Sequence, residues 1–448
     1  MADSEGITVV DIPESSSVAS MQKKLEEKRK EFKTTTTRSS KWMYKFPASL
    51  TGISPKAIEP EIVSIGPYHR GQAELSKFES YKWLFLDGLL TRTESKLGEY
   101  IDAKIRLEEP TRSCYSDHDN LLSPLSVDDF VEMMVLDGCF IIELFHHVRN
   151  YIYDDHDEND RKDDIILSML WLIPVLSRDL LKLENQLPFS VRQKLYEISM
   201  DHKNGEDPLF LLALKFFNIS LPRPIEFLKS LSTLEGKHLL DLFHLSFRPT
   251  KPSPDDPSPK YRPSSEAIQC TTQLRSSGVE FKAYKPISFL EINFQNKVLQ
   301  IPHITINDFT ITFFINCMAL EQCREYESTW FTTYIAFMSC LINSARDVTF
   351  LCSDGIINTG FLQNDQNVGE LFKKLGQKVS FKIRDCYLSQ QFRDVEAYYS
   401  SHRATFIRNY FSKPWSFISV FYALILLVLT GGQVVMSIAS YINDRRKN

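Results

Sequence analysis

The apolar positions of this 448-residue chain fall mostly into helix-spaced groups, interrupted once by a short alternating stretch. Large apolar residues open a helical section from Lys82 to Leu90, and Asp128-Asp129-Phe130 opens another through FVEMMVLDGCFIIELFHHV. Apolar residues cover almost every side of that second helix, which places it deep in a core. Residues 165–198 read as a helix pair, with Pro188 marking a helix start because its ring is preset for a first turn. Prolines then crowd the stretch 249–263, mixed with Ser, Lys and Asp, as in a linker or long exposed loop. A short helix over 264–276 stops at Gly278. Val279/Phe281, Leu290/Ile292/Phe294 and Leu299/Ile301 then alternate with period two, which predicts a small antiparallel meander turning near Gln295-Asn296-Lys297. Helices resume at Asp308. Tyr334, Met338, Leu341, Ile342, Ala345 and Val348 keep helical spacing through 331–352, and a helix over 365–375 stops at Gly376.

From Pro414 to Asn443 there is no charged side chain. About twenty apolar residues suffice to cross a hydrocarbon core of about 30 Å, and Trp415 and Tyr441 stand near the ends as interfacial membrane anchors. The pattern therefore predicts a mainly α protein with a small antiparallel β meander (α+β) and a single C-terminal transmembrane helix. Its expected organisation is a charged, disordered N-terminal segment (1–40), a helical N-lobe (41–247), a Pro-rich linker or loop (248–262), a C-lobe with the meander and further helices (263–412), and the transmembrane helix (414–442).

Composition narrows the function classes. A net charge of −5 and a pI near 6.1 offer no basic face for nucleic acid. Thirty-one Phe against sixteen Gly favour a densely packed helical body. The eight cysteines form no C-x-x-C pair, and several sit in apolar helical runs, as buried free thiols do. The acidic start, MADSEGITVVDIPESS, is not a secretory signal. The simplest topology is tail-anchored with the body in the cytosol, and the plasma membrane is the expected location. Arg403, Arg408 and Lys413 before the span balance Arg445, Arg446 and Lys447 after it, so orientation stays open. The sequon Asn218-Ile219-Ser220 would be usable only with the body outside.

Candidate chemistry is sparse. There is no G-x-S-x-G, P-loop, G-x-G-x-x-G or H-E-x-x-H pattern. The acidic run 154–164 lacks the calcium-loop spacing and reads as a solvated loop. Glu184-Asn185-Gln186 lies in an apolar context, where such groups need partners, and satisfying backbone ends at a helix corner is the expected role. A Cys–His pair of Cys139 or Cys323 with His69 needs a fold contact that spacing does not reveal. The foremost candidate is Gly66-Pro67-Tyr68-His69-Arg70-Gly71. Its glycines permit close backbone approach, and Tyr68, His69 and Arg70 can donate hydrogen bonds or bind an anion. The competing reading is a rigid turn whose Tyr and His tie down neighbouring elements. No catalytic, cofactor or metal residue is assigned.

The ordered set VSIGPYHRG (63–71), DGCFIIELF (137–145), RDLLKLENQLPFSVRQKLYE (178–197), HLLDLFH (238–244), CTTQLRSSGVEFK (270–282), VLQIPHITINDFT (298–310), ALEQC (319–323), LINSARDV (341–348) and YFSKPWSFISVFYALILLVLT (410–430) resembles the plant family called domain of unknown function 247, of the UPF0481 type. The resemblance runs from about residue 42 to the end. Departures include Phe46-Pro47 and Leu50-Thr51 for a Val-Pro and Leu-Arg pattern, Ile58 for a Tyr, Asn307-Asp308 for an Asp pair, and Asn296-Lys297 for an Asn-Gly turn, the last expected to loosen a hairpin. The resemblance implies a plant-specific, membrane-associated protein without assigned biochemistry. Some grass members are similar to determinants of self-incompatibility, which implies recognition or signalling at a membrane. The expected function is a non-enzymatic recognition or signalling module with a lipid bilayer and a protein as partners. The alternative is a membrane-tethered, hydrolase-like enzyme. Gly431, Gly432 and Gln433 within the span could mediate homo-oligomer packing.

Overall fold

Sixteen successive residues from Phe130 to Phe145 form the middle of one helix, and almost all are buried. That all-round apolar helix is the axis of the fold. The computed structural model describes residues 20–29, 41–116, 122–153, 171–200, 207–249, 268–324, 329–360, 364–379, 386–410 and 414–447. The acidic run 154–164 and most of the Pro-rich stretch lie outside these residues, as do residues 1–19.

Residues 20–29, inside the segment expected to be disordered, form an exposed helix, α1, whose Lys and Glu at helical spacing support it. After an irregular stretch with 3-10 turns at Ala48–Leu50 and Pro55–Ala57, the first half continues with α2 (Ser76–Thr93), α3 (Leu97–Ile105), α4 (Glu108–Ser113), the axial α5 (Val127–Tyr153), α6 (Ile173–Asp179), α7 (Phe189–Ser199), α8 (Leu209–Asn218), α9 (Ile225–Ser230) and α10 (Leu239–Leu245). The second half holds α11 (Thr271–Ser276), β1 (Glu280–Tyr284), β2 (Asn293–Gln295), β3 (Val298–Pro302), β4 (Ile304–Thr305), α12 (Asp308–Cys323), α13 (Trp330–Leu341), α14 (Ala345–Ser353), β5 (Ile357–Asn358), α15 (Asp365–Lys378), α16 (Ser389–Tyr399), α17 (His402–Tyr410) and α18 (Pro414–Lys447). Helices α2, α3, α7 and α8 surround α5, while α12 packs on α6, α10, α13 and the turn at Pro55–Ala57. The buried apolar side chains form one continuous core from Met43 to Val395.

The sheet corrects the expected meander. Its order is β1-β3-β2, with β1 parallel to β3 and only β2 antiparallel to it. The residues between β1 and β2 do not form a hairpin that pairs the two strands. Phe289, Leu290 and Ile292 dive into the core instead, carrying the chain across to the far edge of β3. Alternation there marked side chains that plug the core as well as a strand. The β2–β3 turn does fall at Asn296-Lys297, both with positive φ (51° and 62°), as a two-residue hairpin requires.

Helix boundaries also differ from the periodic pattern, and the helix expected over 264–276 begins only at Thr271, after Cys270, which is extended. The run 331–352 is two helices, α13 and α14, bent by 103°. Ser344 caps the second with a reciprocal box to Asp347, which competes successfully with helix continuation. Gly376 does not stop α15. A Cβ there would lie 2.8 Å from Ser339 Cβ, so the glycine lets α15 approach α13.

Helix α18 is long and apolar enough to cross a membrane. Its core, Phe421–Ser440, has a mean hydropathy of 2.0, and none of it is buried against the rest of the chain. Trp415 and Tyr441 fall within this helix, but their side chains lie outside the described residues.

Candidate functional site

The segment from Trp42 to Gly71 is mostly irregular, so its backbone groups have few ladder partners and must find others if buried. The corner between α6 and α7 supplies them. The carboxylate of Asp179, fully buried, accepts the N–H groups of Glu61 (2.9 Å), Ile62 (2.8 Å) and Val63 (3.1 Å). Lys182 Nζ, also fully buried, neutralises it at 2.9 Å and donates to Glu59 O. Asn185 Oδ1 accepts the Ile65 N–H (2.7 Å), while its amide donates to Val63 O and Asp179 O. Gln186 donates to Leu180 O and Lys182 O and accepts from Leu240 N, tying this corner to α10. Glu184 Oε1 accepts the Phe46 N–H at 2.8 Å.

This corner seats the Gly66–Gly71 motif. Gly66 has φ +72°, and a Cβ there would lie 2.7 Å from Gln186 O, so no larger residue fits. Its N–H donates to Asp137 Oδ2 (2.7 Å) on α5, and Asp137 Oδ1 is paired with Lys82 Nζ of α2 at 2.6 Å. Burial raises the Asp137 carboxyl above its ordinary value, opposed by Lys82 and the Gly66 N–H. Tyr68 hydroxyl donates to Met43 O (3.0 Å), and its ring meets Tyr115 edge-on. His69 Nδ1 lies 3.0 Å from Gln72 Nε2, and its Nε2 is 3.4 Å from Glu184 Oε2. Burial opposes ionisation of Glu184, but His69 and the Phe46 N–H outweigh it and lower its pKa. Arg70 reaches Glu132 only at 4.0 Å. The motif thus gathers with Asp137 and Glu184, yet these side chains hold backbone groups and one another.

A second polar centre lies where α10, α12 and α13 meet. Glu321 accepts the N–H groups of Phe331 (2.9 Å) and Thr332 (2.8 Å), placing a carboxylate at the α13 N-terminus. His244 Nε2 lies 2.8 Å from Glu321 Oε1, and its ring stacks on Trp330. His238 Nδ1 caps α10 by accepting the Asp241 N–H, and burial pushes its pKa down to about 3. Asp241 pairs with Arg324 at 2.7 Å. On α12, Asn316 accepts from Leu183 N and donates to Ala57 O, joining it to the first half. Spacing gave no sign of Lys82, Asp179, His244, Asn316 or Glu321. The only available signal was polarity inside an otherwise apolar helical run.

The cysteines do not fit nucleophilic roles. Burial raises the thiol pKa of Cys139, and that of Cys323 is pushed up to about 11, whereas a nucleophile needs a stabilised thiolate. All eight cysteines are free. Among the described residues no group of three or more His, Cys, Asp or Glu could hold a metal. Three cavities of roughly 330, 530 and 430 Å³ open on the surface. They are lined around Lys56 and Arg178, around Cys270 and Cys340, and around Arg223 and Tyr284, not by the Gly66–Gly71 motif. On the outer side of α2, Tyr81, Trp83 and Leu84 are 38%, 48% and 48% exposed.

Comparison with known proteins adds a family and no chemistry. Residues 43–429 match the model of DUF247, described as a plant protein of unknown function. The chain is 33% identical to UPF0481 protein At3g47200 of Arabidopsis thaliana, over 91% of this chain and 88% of that protein. It is 21% identical to a second Arabidopsis thaliana UPF0481 protein, At3g02645, over 88% of this chain and 89% of the relative. No solved structure matches.

Proposed function

Because the chain belongs to the DUF247 family of plant proteins of unknown function, we propose from its own physical chemistry that it is a membrane-anchored, non-enzymatic recognition or signalling protein. The observation that carries this reading is α18. None of the twenty successive helical residues Phe421–Ser440 is buried against the body. Each large apolar side chain left in water forgoes about 1.5–3 kcal/mol of burial, so lipid is the favoured surrounding. The body lies on the cytosolic side, and the membrane is the plasma membrane. Two features support the cytosolic side: eight free thiols suit a reducing compartment, and the Asn218 amide of the sequon is buried and bonded to Arg223 O.

Recognition is favoured over catalysis because Tyr68, His69, Asp137 and Glu184 are engaged in holding the 41–71 segment. An exposed aromatic and aliphatic stripe on α2, meanwhile, has the composition of a protein-contact face. A photo-crosslinker at position 83 of the full-length chain in plant membranes tests this. The reading expects a discrete protein adduct from that position and no labelling by a fluorophosphonate hydrolase probe. Active-site labelling of the chain by the probe, with no adduct from position 83, would reverse the choice in favour of a tethered hydrolase.

A further inference from the structure

Helix α17 joins the body to the span, and its two sides differ. On the inner side Ala404 is buried, Ile407 packs over Gly278, and the Arg408 guanidinium lies 4.3 Å over the Tyr399 ring and donates to Ser277 Oγ. On the outer side His402, Arg403, Phe406 and Asn409 are exposed, at positions three to four apart that share one helix face. Phe406, 51% exposed, sits in the middle of that face. No Asp or Glu occurs from Ala397 to Asn443.

Chain reach lets this face lie at the bilayer surface, given the membrane reading above. If Phe421–Ser440 fills the hydrocarbon core, Pro414 stands about 10 Å outside it at 1.5 Å per residue, just beyond a headgroup layer roughly 5–7 Å deep. From there at most about 14 Å of chain returns to Tyr410. The outer face of α17 is thus able to reach the lipid surface, where charge is felt.

We propose that this face docks on anionic lipid: Phe406 enters the headgroup layer, and Arg403, with His402 beside it, faces negatively charged headgroups. Three arguments select a lipid surface over a protein. The face adjoins the span in sequence. Its flanking sequence lacks acid. An aromatic beside a cation is the composition of an interfacial helix. The consequence is a fixed orientation of the body against the membrane.

Hydrogen–deuterium exchange of peptides covering 402–410 tests the proposal, using the full-length chain in nanodiscs of phosphatidylcholine alone and of phosphatidylcholine with phosphatidylserine. The expected result is slower exchange of α17 in the anionic discs. Arg403→Glu should remove that difference, each basic residue near the surface being worth on the order of fivefold in binding. Phe406→Ser should weaken protection in the anionic discs. Both positions are exposed, so unchanged exchange elsewhere in the body verifies folding. Equal exchange in the two discs, or an Arg403→Glu variant that keeps the difference, overturns the docking proposal while leaving the anchor intact. A chain that does not enter discs at all overturns the membrane reading itself.

Discussion

Asp179 holds three backbone N–H groups of a segment more than a hundred residues earlier, together with the Lys182 ammonium. Each donor left buried without an acceptor costs about 1–3 kcal/mol. Asp179→Ala should therefore lower the unfolding free energy by about 3 kcal/mol or more, and Asp179→Asn, which keeps one acceptor, by less. Denaturant unfolding of the detergent-solubilised chain measures both, and an unmoved midpoint for the alanine variant would count against the account. His238 gives a pH signature. Its pKa is about 3 in the folded chain against 6.5 for an ordinary histidine, because burial disfavours the charged ring. The folded state resists a proton that the unfolded state accepts. Stability from this group is complete above pH 6.5 and falls as pH drops from 6.5 towards about 3. His238→Asn keeps a side-chain cap without titrating, so it should flatten the stability–pH profile between pH 6 and 5 by up to about 1.4 kcal/mol per pH unit. An unchanged slope would remove His238 from the account. At this scale the sequence was partly legible. Glu184-Asn185-Gln186, polar in an apolar run, pointed to backbone satisfaction, and each does bind backbone groups. Asp179 was silent because its partners lie 116–118 residues away, and no local pattern encodes such a pairing.

Among the elements, helices with strong apolar periodicity were readable, and strand pairing was not. The axial α5 and the start of α12 at Asp308 follow from pattern and capping. Alternation locates strands but carries no information on which neighbour each will pair with, so the parallel β1–β3 register was hidden. The hairpin turn was legible, and its departure from Asn-Gly has a cost. Lys297 occupies φ +62°, a left-handed conformation that disfavours a side chain by roughly 1–2 kcal/mol. Its exposed contact with Glu280 at 3.2 Å offsets little. Lys297→Gly should raise thermal stability by roughly 0.5–1 kcal/mol after the entropic cost of glycine, and a lowered melting temperature would refute the turn assignment. Gly376 tests the α13–α15 approach. At an ordinary helix position Gly→Ala stabilises by about 1 kcal/mol, but here the new Cβ meets Ser339 at 2.8 Å. Overpacking costs typically about 1–3 kcal/mol, so Gly376→Ala should destabilise. A stabilised variant would mean that the two helices stand further apart than described.

For the whole molecule, one helix decides how everything else is read. The body has a continuous apolar core of its own, and α18 contributes nothing to that core. The proposed tether accounts for this, because a helix suited to lipid needs no packing against the body. Membrane flotation measures this most directly. The full-length chain, expressed in plant cells without detergent, should float with membranes in a density gradient and stay with them after alkaline carbonate washing, while a chain ending at residue 413 should remain at the bottom as folded protein. Full-length chain recovered folded and monomeric in the soluble fraction would contradict the account.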